Sequence, residues 1–359
     1  MSREDLVEVQ EQEDIEIEGP EGNTINENID AIEDEEGNLL AGEEAPTAPQ
    51  DNFYANLAEF LDDSQLKSLA SKLLADFKDD SLARKSYIET YTKGLDLLGF
   101  KYQEVTRPFI GASGVTHPLL AEAATQFQAQ AFKELLPSDG PVRCQVVGAE
   151  SKETIQQANR VRDYMNYQIT DVMEEYTPEM DQMLFFLPLA GSTFKKVYYD
   201  PAAQRCKATF IHAEDLVVPY NASDLYEAER ISEVQRVTKN TVAKRIASGF
   251  YRDVELPEPF FNEDRAQKKY QELEGVTPQK YQDLYNFVEM HVDLDLPGYE
   301  SDDGVKVPYI VTLDRDSMTI MSIYRNYKPD DPSRKRIPYF VHYKFLPGLG
   351  FYGFGLIHM

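Results

Sequence analysis

The sequence predicts an α+β fold, and three observations point to it. Apolar residues recur every three or four positions in long stretches up to about residue 190. Beyond that point shorter stretches alternate apolar and polar residues between turns rich in Pro, Asp and Gly. Helical and strand patterns are segregated along the chain and do not alternate as βαβ units. Of the 359 residues, 42% are apolar, which is enough for a sizeable core. The expected organisation is an acidic tail over 1–50, a mainly helical region over 51–192, and a β-rich region over 193–359 that ends at the start of a further helix.

The tail carries 17 acids and one base, Arg3, so it holds −16 of the chain's net −27. Stretches such as "EDEEGNLLAGEEAPTAPQ" offer too few large apolar groups to offset the entropy of ordering, and the segment is expected to be disordered. Such an acidic balance repels nucleic acid and acidic membranes. It argues against a protein that grips DNA through a broad basic surface. No run of 18 apolar residues predicts a membrane span, and "MSREDLVEVQ" lacks the basic and apolar blocks of a secretory signal. Two cysteines, Cys144 and Cys206, are too few for a disulfide framework and suggest reduced thiols in a cytoplasmic setting.

The elements follow in order. Leu57, Phe60, Leu61, Leu66, Leu69, Leu73 and Leu74 fall at helical spacing, and the helical pattern resumes near Ser81 and closes near Gly99. "RPFIGASGV" (107–115) is a loop. Over 118–136, Leu120, Ala124, Phe127, Ala131 and Leu135 share one helix face, with Pro118 in the first turn and Pro137 beyond the end. Small residues on this helix (Ala121, Ala123, Ala124, Ala129, Ala131) fit either good helix propensity or a close contact between subunits. "VRCQVVGAE" (142–150) alternates like a strand. A long helix from Ser151 places Ile155, Ala158, Val161, Met165, Ile169 and Val172 on one stripe. A second helix, with Thr177 as N-cap and Pro178 at its first position, runs to Gly191 and completes a helical hairpin.

"STFKKVYYDPAAQRCKATFIH" (192–212) reads as a β-hairpin turning at "DPAAQR". A short strand follows. From Asp224 the Glu and Arg mixture suits either a strand pair or an exposed helix. "TKNTVAKRIASGFY" (238–251) is a capped helix, and the polar, Pro-punctuated stretch 252–279 is expected to be a mobile excursion. Strands return over 285–296, 307–327 and 336–347, and no internal repeat is visible.

Motifs for chemistry are weak. In "FLPGLGFYGFG", Gly348, Gly350 and Gly353 have the G-x-G-x-x-G spacing of a dinucleotide loop. Phe351, Tyr352 and Phe354 crowd those glycines, Pro347 interrupts, and no βαβ unit surrounds them, so a packed turn is expected. "DLDLPGYESDDG" (293–304) opens like a calcium loop with Gly298 at the sixth position. Pro297 and Gly304 occupy ligand positions, so a solvated acidic turn is the simpler reading. His117, His212, His291, His342 and His358 are scattered singly, and "KPDDPSRK" (328–335) suits a turn built on Pro and Asp. The residues therefore suggest no catalytic, cofactor-binding or metal-binding set, and no enzyme activity. The alternative kept open is a metal-dependent hydrolase using His291, Asp293 and Asp295.

Four stretches resemble the portal proteins of tailed bacteriophages, of the short-tailed type. "RPFIGASGVTHPLLAEAATQFQAQAFKELLPSDGPVRCQVVG" resembles the family's early loop, helix and strand. "ANRVRDYMNYQITDVMEEYTPEMDQMLFFLPLAGSTFKKVYYDP" resembles its helical hairpin and following β-hairpin, with Gly191, Lys196, Val197, Tyr199 and Asp200 on the motif. "HAEDLVVPYNASDLYEAERISEVQRVTKNTV" matches through Glu214, Asp215, Leu216, Ala228 and Ile231. "RIPYFVHYKFLPGLGFYGFGLIH" resembles the segment that leads into the next family helix. These patterns are diffuse, but they keep their order over most of the chain after Leu66.

The resemblance implies a portal-like fold and a homo-oligomeric ring of twelve at one capsid vertex, with host cytoplasm as the place of assembly. It implies a head–tail connector that serves DNA packaging and genome ejection. Its partners would be the terminase large subunit, capsid and scaffolding proteins, and head-completion and tail proteins. Double-stranded DNA would pass through the channel with weak, non-specific contact. No membrane partner, cofactor or metal is implied. The family's next helix begins where this chain stops, at "GLIHM", so the resemblance is to a portal truncated at its C-terminus. Another virion head–tail adaptor is the alternative within the same class.

Overall fold

The structure, a computed structural model, describes residues 52–99, 109, 117–201, 203–259, 265–275, 284–300 and 304–359. All of these fall in one unit, 48–359. The expected tail over 1–50, the 107–115 loop apart from Phe109, and parts of the expected 252–279 excursion lie outside the described residues.

Seven α-helices and two antiparallel sheets make up the described residues, a mixed α+β architecture. Helix α1 (Asp63–Ala83) starts where the Gln65 side chain accepts from the backbone N–H of Asp62 at 3.2 Å. Leu66, Ala70, Leu73, Leu74 and Phe77 form its buried stripe, at the spacing of one helical face. That stripe covers a five-stranded sheet ordered β3 (Leu216–Val217), β4 (Arg230–Thr238), β5 (Leu284–Leu294), β6 (Val307–Asp314) and β7 (Thr319–Arg325). Val288, Met290, Val311, Leu313 and Ile323 are its partners there. Val237, Tyr285, Phe287 and Met321 join Val242 of α6 (Lys239–Ala247) in a separate cluster.

The chain breaks helix at Arg84 and continues as α2 (Lys85–Gly94) and a short 3-10 turn (Leu95–Leu98), closing at Gly99 in the left-handed conformation. Helix α3 (Leu119–Leu135) packs on α5 (Tyr176–Ala190), and Met180, Met183 and Leu184 of α5 meet Phe127 and Ala131 of α3. A three-stranded sheet ordered β2 (Arg205–Ile211), β1 (Ser192–Asp200) and β8 (Phe340–Lys344) completes the fold.

Three expectations change. Residues 142–147 form no strand: Val142 is held instead by the Asn166 side chain, which accepts from its N–H at 2.8 Å and donates to its carbonyl at 3.3 Å, and Val147 is 97% exposed. Alternation supplies a face, but a strand also needs a partner ladder. The stripe of Ile155, Val161 and Met165 lies on α4 (Lys152–Tyr167), where no residue is buried. The 252–279 stretch contains α7 (Arg265–Glu274), which docks through Ala266, through a 2.7 Å hydrogen bond between the Tyr270 and Tyr91 hydroxyls, and through Lys269 against Asp96. The undecided 224–238 segment ends in β4, because β3 and β5 pair with it on its two edges.

The expected helical hairpin also changes: α5 packs on α3 and not along α4. Helix α5 enters the β-hairpin through Gly191, whose φ of +81° only glycine adopts without strain. Its N–H caps α5 by donating to Leu187 O at 2.8 Å, and its carbonyl accepts from Phe345 N at 3.0 Å. A methyl group on Gly191 would lie 2.2 Å from the Gly355 backbone nitrogen. Gly249 has a similar φ of +71° but open space around it. Gly191→Ala is therefore expected to cost about 3 kcal/mol and Gly249→Ala about 1 kcal/mol. Urea unfolding midpoints of the two variants check the difference.

Candidate functional site

The glycine turn forms a packed corner. Leu346 and Phe354 bridge its two ends. A Cβ on Gly353 would sit 2.5 Å from Gly191 O, one on Gly355 2.2 Å from Leu189 O, and one on Gly348 1.9 Å from Tyr352 O. The space a phosphate cradle needs is filled by the chain's own backbone. Phe351 is fully buried, stacked on Phe194 and His342 with ring centroids 6.0 and 4.7 Å away.

Beneath this corner, Ser192 and His342 come within hydrogen-bond reach. The His342 Nε2 lies 3.0 Å from Ser192 Oγ, and Ser192 Oγ accepts from Gly353 N–H at 2.7 Å. Burial, then the nearby Lys344 charge, pull the His342 pKa down to about 3, so the ring is neutral at pH 7. Ser192 is fully buried and its oxygen already accepts a backbone bond. The pair acts as a polar rivet between β1, β8 and the glycine turn.

The densest ionisable cluster joins the two sheets. Lys196, on β1, lies between Glu233 of β4 and Glu289 of β5, its Nζ 2.6 Å from Glu233 Oε2 and 2.6 Å from Glu289 Oε1. Gln235 Nε2 donates to both carboxylates at 3.0 Å. His291 Nε2 is 2.9 Å from Glu289 Oε1, and its Nδ1 faces Asn326 Nδ2 at 3.3 Å. This network fits a neutral imidazole protonated on Nε2. Burial opposes the Lys196 charge, but Glu289 and Glu233 outweigh it and hold the ammonium above its ordinary pKa. Burial likewise opposes the Glu289 charge; Lys196 and His291 outweigh it and keep that carboxylate well below its ordinary range. Burial pushes the Glu233 pKa up. The Phe340 ring lies under the ammonium, 5.6 Å from its centroid.

Lys195 points the other way, as strand geometry requires. Its Nζ sits 4.2 Å from the Tyr176 ring centroid and has no hydrogen-bond partner, and burial lowers its pKa to about 8.

The hydrolase alternative is not assembled. His291 is buried in the inter-sheet network, Asp293 is held by Arg336 at 2.8 Å, and Asp295 is exposed. Among the described residues, no three His, Cys, Asp or Glu side chains converge to hold a metal ion. Sequence reasoning did not single out Glu233, Glu289 or Lys195. The available signal was two adjacent lysines inside the apolar strand "STFKKVYY", each of which has to find a partner once buried.

No family model matches this chain. No curated protein matches it either.

Two outcomes follow from the site. Lys196→Met strands two buried carboxylates and is expected to cost about 4 kcal/mol, whereas adding Glu233→Gln and Glu289→Gln to it recovers a large part; chemical denaturation of both variants checks this. The depressed His342 pKa means the unfolded chain binds a proton that the folded chain does not as pH falls below 6.5. Stability is then lost on acidification, by about 2 kcal/mol at pH 5 from this residue alone. His342→Gln is expected to remove that part of the slope in unfolding free energy measured from pH 7 to pH 5.

Proposed function

We propose that this chain is a subunit of a ring-forming portal of a tailed bacteriophage, a head–tail connector at one capsid vertex. The observation that carries this reading is the apolar face left open on α4. Ile155, Val161 and Met165 are 44%, 48% and 42% exposed, flanked by Tyr164 and Tyr167 at 61% and 55%. A helix with this stripe and no buried residue of its own lacks a partner among the described residues. A closed ring gives every subunit a heterologous neighbour, which would cover such a face.

The order of elements supports the same reading. Helix α5 runs through Gly191 directly into the β1–β2 hairpin. This is one of the four stretches whose sequence resembles the portal pattern, with Lys196 and Asp200 on the motif positions. In this reading the partners are other copies of the chain, the terminase large subunit, capsid and scaffolding proteins, and tail-side proteins. The acidic balance suits a wall that duplex DNA slides past.

Native mass spectrometry with electron-microscope imaging of the purified chain tests the proposal. The expected result is closed rings of about a dozen subunits around a pore. The double variant Ile155→Glu, Val161→Glu should stay folded and monomeric, because α4 contributes no buried side chain to the monomer. A wild-type chain that stays monomeric over a wide concentration range, or rings that persist in the variant, would overturn the assignment of α4.

A further inference from the structure

A cleft of about 550 Å³ lies where α1 meets α2, facing the start of β3, β4 and α7. Its apolar lining includes Phe77, Leu82, Ile88 and Val234, and Leu82 is 65% exposed there. Its charge runs against the rest of the molecule. Four cations (Lys78, Arg84, Lys85, Arg315) line it with two carboxylates (Glu89, Glu214), in a chain of net −27.

The cations divide by role. Arg84 is 8% exposed and its guanidinium is committed to the fold: it donates to Ala213 O at 2.6 Å and Leu216 O at 2.8 Å, to Tyr352 Oη at 3.3 Å, and to Glu214 O. The other three are less committed. Lys78 is exposed and has no ion-pair partner among the described residues. The Lys85 side chain is 59% exposed, and its ion-pair approach to Glu89 is a loose 3.9 Å. Arg315 stands 3.8 Å from Asp316.

Glu214 is the second fixed feature. Its Oε2 is out of reach of solvent and has no hydrogen-bond partner. Burial, then the neighbouring Asp215 charge, push its pKa up to about 7. A carboxyl so placed disfavours an anion deep in the cleft, so negative groups belong at the mouth and an apolar group inside.

We propose that this cleft is a docking site for an acidic segment of a partner protein that carries an aromatic or aliphatic anchor. Charge complementarity argues for a peptide over a small molecule. Lys78 lies near the end of α1, Lys85 opens α2 beyond the break at Arg84, and Arg315 arrives from the β6–β7 turn, so cations from three elements surround an apolar lining. Several carboxylates flanking an apolar side chain match that arrangement. The volume takes one large side chain with its flanking backbone. No residue of α4 lines the site.

Fluorescence anisotropy with the full-length chain tests the proposal, using a labelled copolymer of glutamate and tyrosine and, for comparison, labelled polyglutamate, at about 0.15 M salt. The copolymer is expected to bind the wild-type chain more tightly than polyglutamate does. Lys78→Glu with Lys85→Glu should weaken copolymer binding about tenfold or more. Leu82→Asp should abolish the preference for the copolymer over polyglutamate. All three positions are exposed, so circular dichroism should show these variants folded. An absence of copolymer binding, equal binding of the two polymers to wild type, or unchanged affinity in the Lys78→Glu, Lys85→Glu variant would each overturn it.

Discussion

The inter-sheet contact of Lys196 is the constraint on which the rest of the described structure depends. One ammonium from the three-stranded sheet sits between two carboxylates of the five-stranded sheet, and all three groups are largely out of water. Removing charges from water costs several kcal/mol per ion, and only close, fully bonded geometry offsets that. Gln235, His291 and Asn326 supply the remaining bonds. The network therefore dictates where β1 lies over β4 and β5 more sharply than apolar packing alone. A β1 shifted by one residue toward its N-terminus would set Val197 against the two carboxylates.

Around that centre the fold is closed by backbone proximity. Gly191, Gly353 and Gly355 meet so closely that the end of α5, the start of β1 and the glycine corner share one small volume. Arg84 ties the α1–α2 break to the carbonyls before β3 and to Tyr352 of the same corner. Ser192 and His342 join β1 to β8 beneath it. Helices and sheets that are separate in the sequence are thus fastened at one junction. The same junction answers what the glycine spacing is for: it admits the chain's own carbonyls, and no room for a phosphate remains.

The surface is less uniform than the net charge suggests. Acidic excess is concentrated in the first 50 residues. Within the described unit, α4 presents an apolar stripe and the cleft beside α1 and α2 presents cations over an apolar lining. Each is a local departure from a hydrated acidic surface, and each gives another molecule a physical reason to bind there. The two lie on different elements of the described unit.

Much of the architecture was legible in the sequence. The α1 stripe, the separate helices α4 and α5, the β1–β2 hairpin with its Asp-Pro turn, and the capped α6 all follow from local periodicity and from caps acting within a few residues. The crowding of Gly348, Gly350 and Gly353 by aromatics was likewise visible as a sign of packing. What periodicity could not reveal is whether an amphipathic segment finds a partner. Residues 142–147 alternate yet meet no ladder, and the α4 stripe repeats properly yet meets no core, because pairing and burial are contributed by distant chain. The same holds for the site. Lys196, Glu233 and Glu289 are far apart in sequence, and each reads locally as a solvated charge. Only the stacking of two sheets makes them one network, since the energy of a buried ion is set by neighbours that tertiary structure alone brings within a few ångströms.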